Sequence, residues 1–368
     1  MMYFDYNASS PILPEAREAM MKVMTSPLNP SSVHSFGRNA KSLIENARND
    51  TALALGVNLR KDQYNLVFTS SATEANNLVM NHFKGSKILI SATEHISILK
   101  HAEYKQDISI LKVDNEGVVD LEVLESYLKA HPGPSSLVSI MLANNETGVI
   151  QPISDIAAIV HKYGAVLHSD CVQGLGKISC NILELGVDFA SISAHKFGGP
   201  LGAAALVHKA QYHMHPHILG GGQERSVRSG TENVPAIVGM GVAASIATPQ
   251  TSKLRDIFES GVRDICKDAI IFGRNAPRLP NTSMVYMPNV PANLQVISFD
   301  IRGMAVSSGS ACSSGKVKIS HVLIASGVEA RIADCAIRFS FGISNTEEEI
   351  EKLAKAWGEI YRDSQGKR

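Results

Sequence analysis

The sequence predicts an α/β fold: a mostly parallel sheet covered by helices, with a smaller domain after it. Short apolar strand candidates alternate with helix-length segments for most of the chain, the rhythm of consecutive βαβ units. After about residue 250 that rhythm gives way to a helical segment, mixed short strands and a final amphipathic helix. The chain has 368 residues, of which 44% are hydrophobic and 19% charged, enough for more than one domain and a large buried core.

The elements follow in order. Ala40, Leu43, Ile44, Ala47, Thr51, Ala54 and Leu55 recur at helical spacing, and Gly56 stops that helix. Strand candidates are Leu66–Thr69, Lys87–Ser91, Ile108–Val113, Leu137–Met141, Ala165–His168, Phe189–Ser193 and Ala203–Val207. Helical stretches between them include Thr73–His82, Leu121–Ala130 and Ile153–Tyr163. A further helix is expected over Ser252–Asp268. The last is capped by Asn345 or Thr346, carries Glu347–Glu349 in its first turn, and shows an apolar stripe of Ile350, Leu353, Trp357, Ile360 and Tyr361. Ligands of such sheets sit beyond the carboxyl ends of the strands, so chemistry is sought there.

Composition narrows the partners. The 35 Lys and Arg balance the 35 Asp and Glu, which gives no sign of nucleic acid or of an acidic membrane surface. No apolar run approaches the roughly 18–20 residues that span a bilayer. The opening Met-Met-Tyr-Phe-Asp-Tyr-Asn has no basic region and no long apolar segment, unlike a secretory signal. The five cysteines, Cys171, Cys180, Cys266, Cys312 and Cys335, form no C-x-x-C pair. A reducing, cytoplasmic setting is therefore expected, with no disulfide framework.

Several constellations fall at strand ends or in loops. Thr69–Asn76 follows a strand and opens a helix; its hydroxyls and N–H groups suit a phosphate, or simply cap the helix with Glu74 closing a capping box. His168–Gln173 places Asp170 after a strand, where an acid binds a ligand or caps a turn. Ser191–Pro200 ends a strand with Lys196 beside Gly198 and Gly199, and such a lysine is either a Schiff-base nucleophile or a surface residue. Gly220–Thr231 combines glycines, two arginines and hydroxyls that suit an anion. Ser307–Lys316 surrounds Cys312 with Ser and Gly, as expected of an exposed, mobile loop. With Lys316 and Lys318 nearby, Cys312 is a candidate nucleophile, or an incidental surface thiol. The other cysteines lie in helix- or strand-like contexts and read as structural. His213, His215 and His217 alternate as on one face of a strand, but no acid or cysteine beside them completes a metal site, and none is expected.

Taken together, a phosphate cup, a strand-end acid and a strand-end lysine, in that order, describe a fold-type-I pyridoxal-phosphate enzyme. The sequence resembles the cysteine desulfurases of the NifS/IscS type, members of the class V aminotransferase family. The resemblance runs nearly end to end, through Phe4–Ser9, Asn29–His34, Thr93-Glu94-His95, Asn144–Gly148, Ser193–Lys196, Arg228–Thr231, Ser307–Cys312 and Arg338-Phe339-Ser340.

What the resemblance implies is specific. The fold is that of the pyridoxal-phosphate-dependent transferases of type I. Residues 12–250 form the large cofactor-binding domain around a mostly parallel seven-stranded sheet, and residues 1–11 with 251–368 form a small α+β domain carrying the Cys312 loop. Lys196 holds pyridoxal 5'-phosphate as a Schiff base and moves protons. Asp170 pairs with the ring nitrogen, His95 stacks on the ring and assists proton transfer, and Gln173 meets the phenolic oxygen. Thr73, Ser193 and His195 hold the phosphate, with Thr231 reaching it from the partner subunit of a homodimer. Asn145 and Arg338 bind the carboxylate of L-cysteine. Cys312 takes the sulfur as a persulfide, leaving L-alanine, and passes it to an acceptor protein, an iron–sulfur scaffold among the candidates. The alternatives are a selenocysteine lyase or an aminotransferase of the same fold, or a catalytically silent member of an iron–sulfur assembly complex.

Overall fold

The computed structural model describes residues 1–104, 107–309 and 319–365. Its strands are β1 (Met2–Tyr3), β2 (Tyr64–Thr69), β3 (Lys87–Ser91), β4 (Ile108–Leu111), β5 (Ser136–Ser139), β6 (Val166–Asp170), β7 (Phe189–Ser193), β8 (Ala204–Lys209), β9 (Ile270–Ile271), β10 (Thr282–Tyr286), β11 (Met304–Ala305) and β12 (Ala336–Ser340).

The central sheet has seven strands in the order β2-β8-β7-β6-β5-β3-β4. Every neighbouring pair is parallel except the two that involve β8. Side chains alternate between two cores, as the period of a strand demands. Val67, Ile88, Ile90, Val166 and Leu206 pack on one face with Leu78, Val79 and Met80 of the helix Ala72–His82. Phe68, Leu89, Val138, Leu167, Ile192 and Val207 pack on the other with Ile44 and Ala47 of the helix Ser35–Ala54 and with Ile237 and Met240 of the helix Val234–Ser245.

The strand limits differ from expectation where pairing outweighs local pattern. β6 runs to Asp170, two positions beyond the expected His168, because Asp170 pairs with Ser191 of β7. The acid therefore closes the strand instead of following it. β5 stops at Ser139, before the expected Met141, whose N–H leaves the ladder for the Glu94 carboxylate at 2.7 Å. His213 and His215 lie in a stretch without regular structure, not on a strand; the His215 ring lies 5.1 Å from that of His82. Of the two expected caps of the last helix, Thr346 takes the role, accepting from Glu349 N–H while its own N–H donates to the Glu349 carboxylate.

A separate aromatic core forms the second layer system. Phe258 and Phe339 sit 4.5 Å apart, and Phe299, Phe341 and Trp357 surround them. Phe4 belongs to this core although it stands at the other end of the sequence. β1 pairs parallel with β11, and Tyr6 N–H donates to Ser340 O of β12. Tyr6 crosses so close to Gly342 that a Cβ there would lie 1.9 Å from the ring. The chain then passes to the large sheet, where Ser10 N–H donates to His195 O and Leu13 N–H to Gly198 O. Among the described residues no helix is long and apolar enough to cross a membrane.

Replacing Phe4 by Ala removes a fully buried ring from the aromatic core. A destabilisation of about 3–5 kcal/mol is expected, read as an earlier urea transition, and a loss under about 1 kcal/mol would contradict this anchoring role.

Candidate active site

A cavity of about 600 Å³ opens beyond the carboxyl ends of β2, β3, β5, β6 and β7. Its opposite wall comes from Asp5, Asn7 and Ala8 of the N-terminal crossing and from Val306–Gly309 and Arg338 of the second core's layer.

β2 delivers the chain to the helix Ala72–His82. Ser71 caps that helix, its Oγ accepting from Glu74 N–H at 3.2 Å, so the capping reading of this stretch holds. Thr73, in the first turn, nevertheless lines the cavity. First-turn N–H groups have no partner within a helix, and with the dipole they suit an anion. Glu74 turns away to Ser70 N–H and to Arg228, at 2.9 and 2.8 Å.

Asp170, at the end of β6, accepts from Asn76 Nδ2 at 2.8 Å and from Val172 N–H at 3.1 Å. Asn76 Nδ2 also donates to Ser97 Oγ at 2.9 Å, and that hydroxyl meets His95 Nδ1 at 2.8 Å. Ser97 N–H donates to the same Nδ1. Nδ1 is thus the acceptor, and the neutral ring carries its proton on Nε2. Burial pushes His95 below the ordinary imidazole pKa; Lys196 and His321 add to this, and Asp170 opposes it.

Lys196 follows β7 in a single 3-10 turn, Ala194–Lys196. The turn needs its two glycines. Gly198 has φ +90°, and a Cβ on Gly199 would lie 2.7 Å from that of Ala194. Lys196 Nζ donates to the carbonyls of Asn7 and Ala8 at 2.7 and 2.9 Å. Burial lowers its pKa to about 8, with the Arg338 charge acting in the same direction and Asp5 and Asp170 against it. Ser193 and His195 line the cavity beside it. Burial, then Lys196 and Lys177, bring His195 down to about 4.

Arg338 enters from β12. Nη1 donates to Asn145 O at 2.9 Å, Nη2 pairs with Asp5 at 2.6 Å, and Nε is buried without a hydrogen-bond partner. Asn145 lines the same wall. Gln173 lines it too, with Nε2 donating to Asn7 O at 3.1 Å and Oε1 accepting from Lys177 Nζ.

The comparisons with known proteins agree with this architecture. Residues 2–353 match the family described as Aminotransferase class-V. The chain belongs to that family. It is similar to curated enzymes along nearly its whole length. It is 39% identical to cysteine desulfurase IscS of Dictyoglomus turgidum, over 95% of this chain and 91% of that protein. It is 37% identical to cysteine desulfurase IscS 1 of Archaeoglobus fulgidus, over 96% and 95%. A solved NifS-like protein from Rickettsia africae superposes with a TM-score of 0.92 at 44% identity, covering 98% of this chain and 99% of that one. The fold is that of the type I pyridoxal-phosphate enzymes.

Among the described residues, one expected site residue does not join the cavity. Thr231 is exposed and lines no part of it in its own chain, so its expected role requires a partner subunit. Cys312 lies outside the described residues. The two arginines expected to suit an anion in Gly220–Thr231 already have acceptors, Arg228 in Glu74 and Arg225 in Asn65. Cys171, Cys180, Cys266 and Cys335 are buried and unpaired. The residue-level reading passed over Asp5, Asn7, Asn76, Ser97 and Lys177. Asp5, Asn7 and Asn76 stand inside stretches already singled out. Lys177, four residues beyond Gln173, carried no signal.

With cofactor removed, acetylation of Lys196 by acetic anhydride across a pH series should be half-maximal near pH 8, where the amine loses its proton. An ordinary lysine reaches that point near about pH 10.4, and such a value for Lys196 in peptide mass spectra would contradict the burial argument.

Proposed function

We propose that this chain is a pyridoxal-phosphate-dependent cysteine desulfurase that converts L-cysteine to L-alanine and carries the sulfur away on Cys312. The observation that carries the reading is the meeting, in one cavity of about 600 Å³, of an anion-suited helix end, Asp170, Gln173, His95 and Lys196 with Arg338 on the facing wall. The names of the relatives supply the substrate.

The donor set fits the cofactor group by group. The N-terminus of the helix Ala72–His82, with Thr73, Ser193 and His195, suits the phosphate. Asp170 suits the ring nitrogen, Gln173 the phenolic oxygen, His95 a ring face and Lys196 the aldehyde carbon. The partnerless Nε of Arg338 suits a substrate carboxylate, since a buried donor left unpaired costs about 1–3 kcal/mol. When bound, pyridoxal phosphate supplies an electron sink for charge that develops at the amino acid's α-carbon.

The chain's own residues do the rest. Lys196 holds the cofactor; its pKa, lowered to about 8, leaves a sizeable neutral fraction near neutrality, so Nζ takes and returns the α-proton. Asp170, held by Asn76 and Val172, sets its carboxyl group at the ring-nitrogen position. Arg338 and Asn145 orient the carboxylate. The Cys312 thiolate forms a sulfur–sulfur bond to the substrate while the carbon–sulfur bond breaks. The departing carbon is protonated to alanine, and Cys312 is left as a persulfide.

The proposal extends to the setting. Residues 12–250 act as the cofactor-binding domain and residues 1–11 with 251–368 as the small domain, a division supported by the separate aromatic core that includes Phe4. The working unit is a homodimer, to which Thr231 contributes across the interface. The place of work is the cytoplasm, and the persulfide goes to an acceptor protein for iron–sulfur cluster assembly.

Cys312→Ala should abolish sulfide and alanine formation while leaving the cofactor's absorbance intact; unchanged production would sink the persulfide step. Lys196→Ala should lose the Schiff-base absorbance. Arg338→Lys should raise KM for L-cysteine by about 10–100-fold, the worth of a charge-assisted hydrogen bond, with a smaller effect on kcat.

A further inference from the structure

Lys177 is 1% exposed, in the last turn before Ile178, and does not line the cavity; it lies behind Gln173. Its Nζ donates to Gln173 Oε1 and, at 3.0 Å, to Asn7 Oδ1. A side-chain amide has one accepting end and one donating end. With Lys177 donating to Oε1 and Asn7 O accepting from Nε2, the flipped amide is disfavoured, because it would set Oε1 against the Asn7 carbonyl and give up the lysine's hydrogen bond. One Nε2 hydrogen goes to Asn7 O at 3.1 Å, and the second N–H is left for the cavity that Gln173 lines.

We propose that Lys177 is a positioning residue that fixes the Gln173 amide so that the site offers an N–H, not a carbonyl, to the cofactor's phenolic oxygen. The inference rests on the pyridoxal-phosphate reading above. An N–H at that place stabilises the ionised oxygen; a carbonyl would repel it. Lys177 acts by hydrogen bonding rather than as a standing charge. Burial, with the charges of Lys196 and Arg338, holds it well below the ordinary lysine pKa. His195 is shifted in part by Lys177, and Tyr6 lines a neighbouring cavity with that lysine.

The test compares wild type with Lys177→Met, Lys177→Gln, Gln173→Leu and the double variant Lys177→Met with Gln173→Leu. Folding is checked by circular dichroism. Two quantities are read: the Kd of the cofactor-free protein for pyridoxal phosphate, and the pH midpoint of the bound cofactor's absorbance change. Lys177→Met and Gln173→Leu should each raise the Kd by about 3–10-fold and move the midpoint upward by about 0.5–1 unit. The double variant should match Gln173→Leu, since Lys177 acts through that amide. Lys177→Gln, which keeps a donor, should recover part of both shifts.

Wild-type values in Lys177→Met, or effects that multiply in the double variant, would overturn the proposal while leaving the cofactor reading intact. A wild type that takes up no pyridoxal phosphate would overturn both. If Lys177→Met does not fold, Lys177→Gln with and without Gln173→Leu is judged by the same non-additivity.

Discussion

Asn7 is the point on which both halves of the molecule converge. Its main-chain carbonyl accepts from Lys196 and from Gln173, and its N–H donates to Ser340 Oγ of β12. Its side chain donates to Thr282 Oγ1 of β10 and to Asn145 O, and accepts from Lys177 and Asn281. A buried amide must satisfy its polar groups within the protein, and here the partners come from both the large-sheet side and the β10–β12 side of the cavity. Asn7 thus links the turn that carries Lys196 to the Asn145 carbonyl that also receives Arg338.

The same neighbourhood is crowded with cations. Arg338 depresses Lys177 and Lys196, and both lysines depress His195. Burial disfavours the charged forms of the two lysines and His195, and the site resolves the crowding unevenly. Lys177 and His195 are pushed strongly toward neutrality, Lys196 only part-way, while Arg338 is held by Asp5. Asp5 is then the counter-ion of the guanidinium, while Arg338 Nε has no hydrogen-bond partner. Uneven neutralisation of this kind separates a proton-transfer group from a fixed anchor within a few ångströms.

Much of this was legible in the sequence because strand ends announce themselves. The alternation of apolar runs and helical stretches located the seven-stranded sheet, and the hydrophilic residues that interrupt it, Thr73, Asp170 and Lys196, all line the cavity. What escaped notice had no local signature. Asp5 and Asn7 gain their roles only because the chain's first residues cross to β12, a contact more than 300 positions away that no short pattern encodes. Lys177 reads as a surface residue because lysines are seldom buried. The helix Val234–Ser245 is apolar on all sides, being packed among other helices, so it lacks the stripe by which helices are recognised. β6 outran its apolar run because pairing with β7, and not hydrophobicity, determines where it ends.

The parallel pairing of β1 with β11 has a bearing on how the polypeptide is made. Met2 and Tyr3 find their partners at Met304 and Ala305, and Phe4 and Tyr6 exchange main-chain bonds with Ser340. During synthesis, Met2–Tyr6 must wait until Met304 and Ser340 have been made before they can dock. Loop closure over such a span is slow and comes late. The central sheet needs nothing beyond β8 to pair its strands and can consolidate beforehand. The carbonyls that receive Lys196 thus settle late, and the nascent enzyme stays incomplete at its reactive centre until β12 has been made.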